Sequence, residues 1–174
     1  MSQRKQLVIR QATAEDGAQI AEIYNQGIDE RQATFITTHF NAADILHKIA
    51  SGKEKHPFFV ATNSDSKTVY GWVSISPYSP RQCYDGVGEV SVYIRTKYRR
   101  QGIGEALLKK VFDEAAKLGY WKLMARIFTF NKASIGLFKK QGYLEAGLHK
   151  NHGKLDGKWL DVLELEKSIP SNLK

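Results

Sequence analysis

Hydrophobic and polar positions along this chain change period repeatedly, and each change marks an element. Leu7-Val8-Ile9-Arg10 reads as a short strand. Thr13-Ala14-Glu15-Asp16 resembles a capping box with Asp in the place of Glu, and behind it Ile20, Tyr24, Gly27 and Ile28 share one helical face. A second helix is predicted over Ala42 to Ser51, opened by Asn41 as cap and ended by Gly52. Strands follow at Phe58 to Thr62 and Thr68 to Ser76, joined by the turn-like Asn63-Ser64-Asp65-Ser66. Glu89-Val90-Ser91-Val92-Tyr93-Ile94 alternates like a strand, and apolar residues then recur at Ile103, Leu107, Val111, Ala115 and Leu118 with helical spacing. Beyond that come a strand at Lys122 to Phe128, a helix at Lys132 to Gln141, and strands near Leu144 to His149 and Trp159 to Leu165. Ser168 to Lys174 is expected to fray.

The order predicts a mixed α/β domain without repeat or linker: a single domain over residues 1–174, its core spanning about residues 7–166. The 174 residues suffice for a real core, and 42% hydrophobic with 25% charged residues is ordinary for a globular protein. No apolar run approaches the length of a membrane span, and MSQRKQLVIR lacks a signal-peptide apolar region. Cys83 stands alone, in keeping with a reducing compartment, so a cytoplasmic location is expected. The net charge of +8 leaves nucleic acid open as a partner. The basic residues are dispersed, however, and their densest clusters, Tyr98-Arg99-Arg100 and Lys139-Lys140, suit a multi-phosphate ligand better than a duplex.

One stretch carries chemistry. Arg99-Arg100-Gln101-Gly102-Ile103-Gly104-Glu105 lies between the strand ending at Ile94 and the long helix. There the unpaired amide N–H groups of a helix start and the helix dipole favour an anion. No G-x-x-x-x-G-K-[ST] run exists, and Gly102-x-Gly104 lacks the third glycine of a dinucleotide fingerprint.

The spacing Arg99-x-x-Gly102-x-Gly104 resembles the acetyl-CoA loop of the GNAT acetyltransferases, Q/R-x-x-G-x-G/A. Asn131-Lys132-Ala133-Ser134, followed by Lys140-Gln141-Gly142-Tyr143, is similar to the second half of that family's signature. Ile23-Tyr24-Asn25, Ala33-Thr34-Phe35, Arg81 to Asp85, Glu89 to Ile94 and Trp159-Leu160-Asp161-Val162 resemble its phosphinothricin and methionine-sulfoximine N-acetyltransferase branch. The resemblance covers roughly Val8 to Leu165. It implies a twisted, mostly antiparallel sheet with splayed central strands flanked by helices. It also implies acetyl-CoA as co-substrate and a small, amino-acid-like primary amine as acceptor.

Each residue has a role to test. An α-amine of pKa about 8 is mostly protonated at neutral pH, so attack needs a base, and Glu89 is the candidate. A plain surface position on the strand would explain Glu89 equally. The resemblance implies that the backbone amides of Val92 and Ile94, with Tyr93 between them, meet the cofactor, although their side chains by themselves say only buried strand. Pyrophosphate falls to the amides of Arg100, Gln101, Gly102, Ile103, Gly104 and Glu105, with Arg99 and Arg100 as charge partners. Glycine at 102 and 104 would allow close backbone approach. The resemblance implies that Asn131 and Ser134 meet the pantetheine arm, and capping alone would also explain Asn131.

For the acceptor, Arg81 matches a carboxylate or phosphinate; the resemblance implies Phe35 and Tyr84 as pocket walls, although a core or surface aromatic would explain each equally. Lys158 to Asp161 corresponds to a family segment near a dimer interface, so a homodimer is expected. The branch carries His where this chain has Phe138, which can neither donate nor accept a proton. His149-x-x-His152 lacks a partner at metal-ligand spacing and reads as surface, so no metal is expected. Cys83 has no reactive-thiol context. Rival readings are an acetyltransferase for a polyamine, another amino-acid derivative or a protein N-terminus, and a non-catalytic acetyl-CoA-binding regulatory domain.

Overall fold

The computed structural model describes residues 6–52, 54–65 and 67–174, so Ser66 of the predicted turn and the first five residues lie outside it. In chain order the elements are β1 (Val8–Gln11), α1 (Gly17–Asp29), α2 (Ala42–Ser51), β2 (Phe58–Thr62), β3 (Val69–Pro77) and β4 (Val87–Ile94). Then come α3 (Ile103–Lys117), β5 (Lys122–Phe128), α4 (Lys132–Lys140), β6 (Leu144–Leu155) and β7 (Lys158–Ser168). The seven strands form one sheet in the order β1-β2-β3-β4-β5-β7-β6. All neighbours are antiparallel except β4 and β5, which are parallel because α3 crosses between them.

Period-two alternation sorts side chains onto two helical layers. On one face Leu107, Val111 and Ala115 of α3 and Phe138 of α4 pack on Val73, Ile75, Val90, Leu123, Ala125 and Ile127. On the other, Ile20 and Ile23 of α1 and Ile45 of α2 cover Phe58, Val60, Val69 and Trp72. β2 is buried at every position because helices lie on both its faces. Among the described residues no helix is long and apolar enough to cross a membrane.

The expected elements form, with two differences. First, β6 and β7 run on to a two-residue turn at Asp156 and Gly157, both at positive φ, the hairpin signature of Asp-Gly. Polar Lys150, Asn151 and His152 fit within β6 as a bulge, the pairing stepping from His149–Val162 to Gly153–Leu160. The Asn151 N–H donates to Asp161 Oδ1 at 2.7 Å and pins that bulge. Second, the C-terminal segment is docked rather than frayed. Ile169 is buried and its N–H donates to the Trp121 carbonyl, while Asn172 Nδ2 donates to the carbonyls of Ala116 and Tyr120.

The predicted cap before α1 is also a buried ion pair. Asp16 accepts the Thr13 N–H at 2.8 Å, and its two oxygens receive Arg10 Nη1 and Nη2 at 2.7 and 2.8 Å. Burial pushes the Asp16 carboxyl up, but the Arg10 guanidinium and the Thr13 donors outweigh it and hold it below the ordinary carboxylate range. Its stabilisation is therefore complete above the unfolded pKa and lost as pH falls through the lower folded value. Asp16→Asn is expected to lower unfolding stability by about 2–4 kcal/mol at neutral pH, since it leaves Arg10 unpaired. In urea titrations the gap between parent and variant should shrink only below about pH 4, the ordinary aspartate range.

Candidate active site

The site begins where a ladder stops. β4 and β5 pair only at Val87–Lys122, Gly88–Leu123 and Glu89–Met124. Beyond Glu89 the strands separate toward their C-terminal ends, although β3 stays paired with β4 to Ile94 and β7 with β5 to Phe128. The β3–β4 register shows which backbone groups face the gap. Tyr78 donates to Val87 and Arg95 donates to Tyr70, so odd-numbered residues of β4 bond to β3. The Val90 N–H closes the last bridge of the β4–β5 ladder, and the N–H groups of Val92 and Ile94 point at β5 where β5 has withdrawn. Tyr93 has its backbone turned to β3, and its ring packs on Tyr24 and Trp72.

At the open end of this gap lies the glycine loop. Arg100 is at φ +60° and Gly102 at φ +78°, so the chain turns sharply into α3. The six consecutive N–H groups from Arg100 to Glu105 have no protein acceptor among the described residues. This is a nest of donors at a helix N-terminus, suited to phosphate oxygens. Gly102 is required by its left-handed conformation, since a Cβ there would touch nothing. At Gly104 a Cβ would stand 2.8 Å from a Leu137 methyl of α4, so packing also favours glycine there.

The side chains of the loop divide. Arg99 is occupied, its Nη2 on Glu30 at 2.8 Å and its Nε on the Ile94 carbonyl at 3.2 Å. Glu105 pairs with Lys140, Gln101 donates to the Lys97 carbonyl, and Ile103 is buried in the core. Arg100 makes no ion pair among the described residues, so it is the guanidinium available to a ligand.

Below the gap opens a pocket of about 480 Å³, whose lining includes Glu89, Val92, Tyr93, Phe35, Asn131 and Ser134. The loop between α1 and α2 roofs it. Phe35 stands edge-on to Phe128 with centroids 4.7 Å apart, and Arg31 Nε reaches Asp156 Oδ2 at 2.9 Å. Asn131 caps α4 through the Ser134 N–H and donates from Nδ2 to the Gln32 carbonyl, tying roof to floor. Arg81 and Tyr84 are not in the lining. Both are exposed on the β3–β4 loop, where Tyr84 packs edge-on against Tyr78.

Three features of the pocket escaped the sequence reading. Arg126 of β5 grips Glu89 with two hydrogen bonds, Nε to Oε1 at 3.0 Å and Nη2 to Oε2. That bond raises the guanidinium pKa further, so Arg126 stays charged. The strand alternation of Lys122, Met124, Arg126 and Phe128 contained a signal, because it puts a cation on the face of Glu89. Tyr24, Tyr93 and Thr34 gather their hydroxyls in the pocket, and burial raises both tyrosine pKa values, keeping them protonated as donors. His152, read as surface, is exposed and also borders the pocket from the β6 bulge, with the His149 ring tilted beside it at 4.6 Å. Phe138, buried against Tyr143, forms part of the wall and offers no proton.

Residues 9–163 match the acetyltransferase (GNAT) domain family. The chain is 29% identical to the L-methionine sulfoximine/L-methionine sulfone acetyltransferase of Pseudomonas paraeruginosa, covering 92% of this chain and 94% of that protein. It is similar to the solved structure of ribosomal-protein-alanine N-acetyltransferase from Brucella melitensis, with TM-score 0.89, 31% identity and coverage of 93% and 99%. A GNAT superfamily phosphinothricin acetyltransferase from Sinorhizobium meliloti, solved in complex with AcCoA, superposes with TM-score 0.87 at 29% identity, covering 94% of this chain and 88% of that one. With its parted central strands, its donor-rich loop and a match that spans both, the chain belongs to the GNAT acetyltransferase family.

Proposed function

We propose that this protein acetylates the primary amine of a small, amino-acid-like acceptor, of the type of phosphinothricin or methionine sulfoximine, with acetyl-CoA as donor. The observation that carries this reading is the β4–β5 gap, whose free amides open onto Glu89 in one pocket. Acetyl-CoA supplies an activated acyl group and a thiolate as leaving group. The amides of Arg100 to Glu105 and the Arg100 guanidinium hold its pyrophosphate, and Asn131 and Ser134 border the path of its pantetheine arm. The Val92 and Ile94 N–H groups meet the oxygen on which negative charge develops.

Glu89 removes a proton from the acceptor ammonium. Each of its oxygens gives one lone pair to Arg126 and keeps another for the ammonium or a bridging water. Attack by the freed amine forms the C–N bond and the C–S bond breaks; the second proton on the nitrogen passes through the bridging water to solvent, so the amide product leaves with its nitrogen neutral. Phe138 cannot protonate the thiolate, so the hydroxyl cluster of Tyr24, Tyr93 and Thr34 donates hydrogen bonds to it until solvent supplies the proton. A second reading keeps the chemistry and exchanges the acceptor for a protein N-terminus, favoured by the likeness to the Brucella enzyme. We also propose a homodimer, supported by the apolar side chains of Leu148 and Trp159 that stand exposed on the β6–β7 hairpin, and a cytoplasmic location, in keeping with the single Cys83.

Glu89→Gln should lower kcat at least about 100-fold, the usual worth of a general base. Acetyl-CoA affinity by calorimetry should be unchanged, whereas an inactive parent that still binds acetyl-CoA points to the regulatory reading. Gly102→Ala places an L-residue in the left-handed region at about 1–2 kcal/mol, so KM for acetyl-CoA should rise about tenfold with the acceptor KM held. Trp159→Glu should shift sedimentation from dimer to monomer, and an unchanged profile removes the hairpin from the interface.

A further inference from the structure

The lining of the pocket contains three side chains able to carry charge among the described residues: Glu89, Arg126 and His152. Arg81, the expected anchor for an acceptor carboxylate, stands outside it. Arg126 spends Nε and Nη2 on Glu89 and leaves Nη1, with its two N–H donors, without a protein acceptor among the described residues. Glu164 is opposite Arg126 in the β5–β7 register, and its carboxylate stands 3.7 Å from His149 Nε2. The Arg126 side chain is 41% exposed, enough to meet a solute, while its pairing with Glu89 holds the fork in one orientation.

The pair therefore presents a negative and a positive group side by side, at hydrogen-bond separation. A free α-amino acid presents the complement, an ammonium next to a carboxylate. We infer that Glu89 and Arg126 together form a receptor for the α-amino acid zwitterion, in which Arg126 reads the α-carboxylate while Glu89 takes the ammonium. This assignment rests on the acetyltransferase reading of the pocket and narrows its substrate class. Free α-amino acids are acceptors; polyamines and peptide N-termini, which lack a carboxylate next to the amine, are disfavoured. The inference also gives a reason for Arg126 to occupy the exposed position of a strand whose neighbours on the other face are apolar and buried.

The test compares L-methionine sulfone with its α-carboxamide, which keeps the amine and side chain and removes the negative charge. A charge-assisted hydrogen bond of ordinary strength predicts that kcat/KM favours the free acid by about 10- to 100-fold in the parent. In Arg126→Gln that ratio should collapse toward unity through a rise in KM for the acid, and Arg126→Lys should restore part of it. Should Arg126→Gln turn over neither acceptor, calorimetric affinities for the two in the presence of coenzyme A read the same ratio. A parent that uses both equally, or a preference that survives in Arg126→Gln and is lost in Arg81→Gln, overturns the inference and leaves the acetyltransferase reading intact. A parent that consumes acetyl-CoA with no amine overturns that reading itself.

Discussion

Everything functional in this protein depends on two parallel strands that stop pairing. A strand edge that loses its partner exposes N–H groups that must find another acceptor, and within a sheet such groups are few. Here β7 continues to hold β5 and β3 continues to hold β4, so the opening is rigid on both sides. The parallel direction matters as much, because α3 must start at the end of β4 where the gap is widest. The amides of the gap and those of the glycine loop are thus joined at one end of the sheet. A thioester carbonyl and a pyrophosphate can be held by backbone alone, with little demand on side-chain identity.

What side chains add is charge and selectivity. Glu89 is the last residue of β4 paired to β5, so its position is fixed while the next residues leave the sheet. Arg126, on the partner strand, tethers the carboxylate without using all its lone pairs. The roof is held by polar ties distant in sequence: Arg31 to Asp156 and Asn131 to Gln32. These are surface-type contacts of modest individual worth, whereas the floor is built into the sheet.

Much was readable from local pattern. The alternation of Glu89 to Ile94 and the helical spacing from Ile103 to Ala115 placed the glycine loop between strand and helix, where the structure has it. The Asn41 and Asn131 caps act as read, each accepting the N–H three residues on. The Asp156-Gly157 turn lies beyond the expected strand ends at His149 and Trp159, and Lys150-Asn151-His152 interrupts the apolar alternation between them. A bulge stabilised by one Asp161 carboxylate restored the pairing, and such a long-range hydrogen bond leaves no local trace. The tail at Ile169 and Asn172 looked loose for the same reason: its partners are the backbone of residues 116–121.

By itself the sequence determined most of the elements, their order and the place of the glycine loop, because periodicity, caps and turn residues act over a few positions, and it named Glu89 as the acid to test. Only the tertiary structure decided which guanidinium faces that acid. Arg81 is nearer to Glu89 along the chain and stands in the better-looking loop, yet Arg126 arrives from the next strand in the sheet. The register of two strands separated by a helix sets that encounter, and register is a property of the whole packed sheet. The same holds for Arg99, whose charge is absorbed by Glu30 at the end of α1, and for His152, brought to the pocket rim by a bulge. Local sequence names the chemistry that is possible, and long-range packing selects the side chains that meet.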